Sequence, residues 1–177
     1  MTIQGQLQFI LNSWLLMDKL NNFFGINMPE YYKNYEFSAK EISLFHTKCF
    51  NEKETQFSEK NIYYFLKSSF YQIYYNKLSL AIIQVVGSEA ELITIAVDPD
   101  KRNRNLGSTL LKDILDRLQE IKVKTIFLEV SMANQSAISM YKKNKFFQCG
   151  DRKNYYKLNE TERIDAVVMS RILTKKN

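Results

Sequence analysis

The chain has 177 residues, 45% apolar and 14% aromatic, with only 5 Gly and 2 Pro. That composition suits one folded domain with room for an appended arm, and it argues against a disordered or collagen-like chain. The net charge of +6 is uneven: residues 1–100 hold 8 Lys+Arg against 11 Asp+Glu, a net −3, and residues 101–177 hold 17 against 8, a net +9. A basic second half suits an anionic cofactor and would be drawn to ribosome or RNA surroundings, although a Lys-rich solvated surface reads equally well. No apolar run reaches the roughly 18 residues of a membrane span. The N-terminus lacks the basic start and unbroken apolar stretch of a signal peptide, so a cytoplasmic protein without membrane attachment is expected.

In chain order, Leu7, Ile10, Leu11, Trp14 and Leu15 fall at helical spacing and predict an amphipathic helix, broken by residues 25–29. Residues 31–36 read as a connector. Two further helices are predicted over 38–50 and 58–70, with Ser38 and Ser58 as N-caps and Glu41 completing a capping box with Ser38. From 71 onward the pattern turns to strands, over 72–75 and 80–86 with Asn76-Lys77 as the turn, then 91–97 after Gly87-Ser88. Leu110, Leu111, Ile114, Leu115 and Leu118 form the apolar stripe of a helix that starts near Gly107. Residues 125–130 alternate, placing Ile126, Leu128 and Val130 on one side and Phe127 and Glu129 on the other. A helix over 135–144 and strands over 146–150 and 166–172 complete an α/β or α+β mixed sheet. The expected division is a helical extension over 1–36 and a main domain over 37–177.

Cys49 and Cys149 lie far apart with no metal-ligand spacing, and they read as two ordinary thiols; no metal site is expected. The lone His46 has no nucleophile pattern around it, so a surface or capping role is expected. The informative stretch runs from Ile95-Ala96-Val97-Asp98-Pro99-Asp100 through Arg102-Asn103-Arg104-Asn105 into Leu106-Gly107-Ser108. A buried strand, a turn, a basic loop and a helix start follow one another there. Free backbone amides at such a start can hold a pyrophosphate, though a basic loop before a helix is also an ordinary solvated turn.

Those residues, with Leu110-Leu111, Leu128-Glu129-Val130, Ala133-Asn134, Ala137-Ile138, Met140-Tyr141, Phe146, Asn154-Tyr155-Tyr156 and Asp165-Ala166, resemble the GNAT superfamily of acetyl-CoA-dependent N-acetyltransferases over roughly residues 37–173. Within it they are similar to the bacterial RimI-type branch, which acetylates the N-terminal alanine of a small-subunit ribosomal protein. The resemblance implies a GNAT fold, a mixed central sheet with splayed middle strands flanked by helices. It implies acetyl-CoA as cofactor, with Ile95, Ala96 and Val97 along the pantetheine arm and Arg102, Asn103, Arg104, Asn105, Leu106, Gly107 and Ser108 around the phosphates. Glu129 is the implied general base, Tyr141 the implied acid toward the departing sulfur and a cofactor contact, and Asn134 a second cofactor contact or a helix cap. Asn154, Tyr155 and Tyr156 are either the wall of the peptide entrance or a strand with an aromatic edge. The implied partner is a protein N-terminus, with the protein a monomer or weak dimer that does not read nucleic acid. A GNAT acting on a small amine, and a weakly catalytic CoA-binding module, stay open beside this reading.

Two positions depart from the family pattern. Asn105 stands where the cofactor loop has its first glycine, and Asn tolerates positive φ. Lys145 stands where a glycine precedes Phe146, and Asn144 is expected to take over the C-cap conformation.

Overall fold

The computed structural model describes residues 37–50, 56–157 and 161–173. The expected helix over 7–15 and the connector over 31–36 lie outside them. The chain begins with two helices, α1 (Ala39–Cys49) and α2 (Glu59–Lys67), followed by the antiparallel strands β1 (Tyr71–Tyr75), β2 (Ser79–Val86) and β3 (Glu89–Val97). After a 3-10 turn (Pro99–Lys101) come α3 (Leu106–Glu120), β4 (Thr125–Ser131), α4 (Gln135–Lys143), β5 (Phe147–Lys157) and β6 (Arg163–Ile172). One six-stranded sheet runs β1-β2-β3-β4-β6-β5, antiparallel except where β3 meets β4.

Local rules account for most element ends. The Glu41 N–H donates to Ser38 Oγ, which starts α1. The full reciprocal capping box belongs to α2 instead, where Asn61 N–H donates to Ser58 Oγ and Ser58 N–H donates to Asn61 Oδ1. That helix ends at Lys67, three residues before the expected end, as Ser68 turns into extended backbone. The turn between β1 and β2 uses Asn76 Oδ1 as acceptor for the Leu78 and Ser79 amides, with Lys77 at φ 64°.

Each sheet face buries its own core. Ile126, Leu128 and Val130 of β4 and the stripe Leu110, Leu111, Ile114, Leu115 and Leu118 of α3 share the first, with Tyr141 of α4. Burying those five α3 side chains is worth roughly 10 kcal/mol before chain entropy is charged against it. On the other face α1 and α2 cover Ile73, Tyr75, Leu80, Ile82 and Ala96.

His46 belongs to this second core, contrary to the expected surface or capping role. It lies four residues after Ile42 on the same stripe of α1 and is 1% exposed, its ring between Phe50 and Phe57 at 4.4 and 4.8 Å. Nδ1 accepts from the Phe57 N–H at 3.4 Å, which leaves the Nε2 proton for Thr94 Oγ1 at 3.4 Å. Burial lowers its pKa to about 4, so the ring is neutral. Both cysteines are free, Cys49 buried and Cys149 exposed.

Candidate active site

The central feature is a seam between β3 and β4. Their pairing runs only from Glu89↔Thr125 to Leu92↔Leu128. A bulge causes the parting: Ile82 pairs with Thr94 and Ile83 with Leu92, which leaves Ile93 as the extra residue. Beyond it Ile95–Val97 is paired on the β2 side alone, and Glu129–Ser131 on the β6 side alone. The Asp98 N–H goes to Leu78 O across β2, so strand alternation turns the Val97 N–H the other way, into the seam. The backbone groups that would line a pantetheine arm are thus those the sheet itself does not use.

The expected cofactor loop lies where the chain leaves β3 for α3. Asn103 and Asn105 both adopt left-handed backbone, at φ 61° and 60°, so the glycine replacement at 105 closes the loop as expected. Asn105 makes no side-chain cap, and the first turn of α3 has no acidic residue. The first hydrogen bond of the helix is Thr109 N–H to Asn105 O, so the amides of Leu106, Gly107 and Ser108 face outward with their partial positive charge. A Cβ at Gly107 would come within 3.3 Å of Met140 Sδ and 3.4 Å of Val97 Cγ2. This glycine therefore lets α3 approach β3 and α4 closely. Uncapped start, left-handed loop and open seam together fit a phosphate-bearing cofactor.

The two loop arginines divide. The Arg102 guanidinium is turned inward, Nη2 donating to Cys49 O at 2.8 Å and Nε to Val97 O at 3.4 Å. It ties the loop to the end of α1. Next to it Lys48 bridges Asp98 at 2.9 Å and Asp100 at 3.2 Å. Lys48 beside Asp98 holds that carboxyl below its ordinary value, opposed by partial burial. Arg104 is exposed and has no recorded partner among the described residues, so it is the arginine free to meet a phosphate.

Glu129 stands at the seam, and Tyr141 lies in the core on the opposite face of the sheet. Glu129 is half-buried on the α1/α2 side, where Arg152 Nη1 donates to its Oε1 at 2.7 Å. That arginine projects from β5 over β6 and stacks on the Tyr155 ring at 4.6 Å. Burial, followed by the nearby Glu129 carboxylate, raises the pKa of the Tyr155 phenol. Tyr156 donates weakly to Glu129 O, at 3.5 Å, and its ring meets Tyr155 edge-on. Tyr141 lies on the other face, 5% exposed and packed on Phe146. Burial, then Tyr156, pushes its pKa far up, so the phenol keeps its proton at neutral pH. Asn134 is the N-cap of α4, its Oδ1 accepting from the Ala137 N–H at 3.1 Å.

The expected Asn154-Tyr155-Tyr156 group is part of a long edge strand rather than a separate loop. Between Arg152↔Ala166 and Tyr156↔Ile164 the strand holds two extra residues, with Asn154 at φ 54°. The arch turns Arg152 and Tyr155 toward Glu129, and the segment is a strand with an aromatic edge. At the end of α4 the expectation needs correction. Asn144 stays at φ −89°, and Lys145 itself takes the left-handed position at φ 63°. Phe146 N–H to Tyr141 O and Lys145 N–H to Lys142 O close a Schellman motif. Asn144 is held elsewhere, donating from Nδ2 to Ser108 Oγ and Met140 O.

Arg152 and Glu91 were not singled out in the sequence. Glu91 pairs with Phe127 and shares the face of Glu129. Only alternation along 91–97 hints at it, and nothing local marks Arg152. Among the described residues no cluster of three or more potential metal ligands occurs.

A bulged strand that parts a mixed sheet, above an uncapped helix start, defines an α/β class that takes a phosphate-bearing cofactor edgewise into its sheet. The chain belongs to the acetyltransferase (GNAT) family, which matches residues 39–146. It is similar to the [ribosomal protein bS18]-alanine N-acetyltransferase of Escherichia coli K12, 41% identical over 92 residues. That stretch covers 52% of this chain and 62% of the relative, so the chain matches less than two thirds of the relative's length. The crystal structure of the ribosomal-protein-S18-alanine N-acetyltransferase from Escherichia coli superposes with a TM-score of 0.68 at 30% identity, over 77% of this chain and 88% of that one. A Bacillus subtilis acetyltransferase solved in complex with CoA shares the fold, with a TM-score of 0.51 at 15% identity over 58% and 75% of the chains.

Proposed function

We propose that the protein is an acetyl-CoA-dependent Nα-acetyltransferase whose acceptor is a protein N-terminus, foremost the alanine of a small-subunit ribosomal protein. Residues 37–177 are the catalytic domain in this reading, residues 1–36 an extension to it, and the cytoplasm its place of action. The observation that carries it is the seam, where β3 parts from β4 beside Glu129, with Tyr141 on the opposite face of the sheet. The E. coli relative acts on bS18 alanine by its name, and the Bacillus neighbour binds CoA.

Acetyl-CoA, when bound, supplies an activated acyl carbonyl and a thiol leaving group. The amides of Leu106, Gly107 and Ser108 and the Arg104 guanidinium would hold its phosphates, and Ile95, Ala96 and Val97 would flank its arm. The Val97 N–H is placed to bond the carbonyl oxygen, as an oxyanion-hole donor does. An incoming α-ammonium competes with Arg152 for the Glu129 carboxylate, which accepts its proton and frees the amine lone pair. Tyr141 holds a proton on the other side of the seam for the departing sulfur. Cys49 is buried at the end of α1 and Cys149 lies on the edge strand β5, so neither is assigned an acyl-carrier role and transfer is direct, within one ternary complex.

The test is incubation with acetyl-CoA and an alanine-starting peptide, followed by mass spectrometry of the peptide N-terminus. The expected outcome is an acetylated α-amine. An unmodified peptide despite measured acetyl-CoA binding removes the peptide reading, and thiol release with a panel of small amines would replace it.

A further inference from the structure

The α1/α2 face of the sheet is covered over only part of its width. The core beneath α1 and α2 draws on β1, β2 and β3 and, among the described residues, contains none from β4, β5 or β6. On those three strands alternation sets Phe127 of β4, Val168 and Ile172 of β6 and Phe147 of β5 on this same face. Phe127 and Phe147 flank Ser170 in the register, and Ile172 stands opposite Thr125. None of the four apolar side chains belongs to either core, and Phe147 and Ile172 are 51% and 61% exposed. A sheet with a parallel pair at its centre ordinarily has apolar cover on both faces.

The chain carries a segment of matching chemistry. Residues 1–28 are more than half apolar, and Asp18 and Lys19 are their only charged side chains. We propose that residues 7–24 dock as an amphipathic helix on the open face of β4, β6 and β5, with the stripe Leu7, Ile10, Leu11, Trp14 and Leu15 against Phe127, Phe147, Val168 and Ile172. The start of the described chain lies on the right side for this. Phe37 packs edge-on against Tyr75 at 4.7 Å within the α1/α2 core, so the arm leaves the domain on the face that lacks cover. Three interstrand steps from β1 to β4 are roughly 14 Å, and five to β5 roughly 24 Å. Residues 25–36, extended, span up to about 40 Å. Tethering keeps the arm at high effective concentration beside this face. A second copy is a poorer occupant, because the exposed Glu89 and Glu91 on the β3 margin of the patch would meet their own kind across a two-fold axis. A membrane surface favours Lys and Arg on the polar side of such a helix, whereas this segment has Gln, Asn and Ser with Lys19 alone. The docking is independent of which amine is acetylated.

The full chain supplies its own probes. Trp14 is the only tryptophan, and of the two cysteines Cys49 is buried while Cys149 is exposed on β5. Trp14 emission should be blue-shifted relative to the urea-unfolded chain, and energy should pass from Trp14 to an acceptor dye on Cys149 with an efficiency that dilution does not change. Phe147→Lys combined with Ile172→Lys should red-shift the emission and lower the transfer, with acetyl-CoA affinity unchanged. Leu11→Asp, placed on the arm and outside the domain core, should do the same, so the reading does not depend on one variant folding. Water-like Trp14 emission in the wild type overturns the inference, as does a signal that neither variant moves. Transfer that falls on dilution assigns the face to a second copy instead. A blue shift that arises only with phosphatidylserine vesicles assigns the arm to a membrane, and either result removes the docking proposed here.

Discussion

The helix starts divide into two kinds. Those of α1, α2 and α4 are closed by their own side chains, through Ser38, Ser58 and Asn134. The start of α3 is not: Asn105 bends the backbone but offers no side-chain acceptor. The sheet shows the same division: β1 with β2, β2 with β3 and β4 with β6 stay paired to the ends of the shared strands, whereas β3 leaves β4 after Leu92. Unsatisfied backbone is costly when buried. Here it is concentrated at two adjoining places that open to a ligand. Closed regions maintain the fold, and the open region is where the proposed cofactor site lies.

Substitutions separate the two. The largest effect belongs to the seam: Glu129→Gln and Tyr141→Phe should each lower turnover by roughly 10- to 1000-fold, with thermal melting and acetyl-CoA affinity close to wild type. Wild-type turnover in both would dissolve the distinction. In the closed region, His46 makes stability depend on pH. Below its ordinary value of 6.5 the unfolded chain binds a proton that the folded chain refuses until about 4. Stability therefore falls as pH drops through that window and is flat above it, by roughly 3 kcal/mol at most. Urea titrations of His46→Gln between pH 7 and 4.5 should show a shallower decline, without a matching change in acetyl-CoA affinity near neutrality.

Asn105→Asp sharpens the comparison because its two effects have opposite sign. A carboxylate at the start of α3 complements the helix dipole and should add about 0.5 kcal/mol to stability. The same charge should weaken acetyl-CoA binding by about tenfold, read by calorimetry. Removing a cap does the reverse: Ser58→Ala should cost about 1 kcal/mol and leave acetyl-CoA affinity alone. The smallest effect is expected at Lys145, whose left-handed backbone favours glycine. Lys145→Gly should raise stability by about 0.5–1 kcal/mol with no change in acetyl-CoA affinity, and a loss would contradict the Schellman closure.

Much of this was legible in the residues themselves. The stripe of α3 and the alternation of β4 are one-dimensional signals, since period follows from backbone geometry, and all five α3 residues and all three β4 residues are buried as read. The loop before α3 was legible for a similar reason, because a helix start and its preceding turn are consecutive residues. His46 was misplaced because its neighbours in space, Phe57 and Thr94, come from other elements. Lys145 was misread because the αL position is set by where the last helical hydrogen bonds close, not by which nearby residue tolerates it best.

The sequence by itself determined most of the elements and their apolar faces, because each depends on neighbours within a few residues. Tertiary structure alone decided where the sheet opens, that Arg152 neutralises Glu129 from two strands away, and that Arg102 turns inward while Arg104 stays exposed, with no polar partner among the described residues. Those outcomes depend on a bulge in β3, an arch in β5 and the end of α1 meeting in space, and pairing register across strands is not written in any local run of residues.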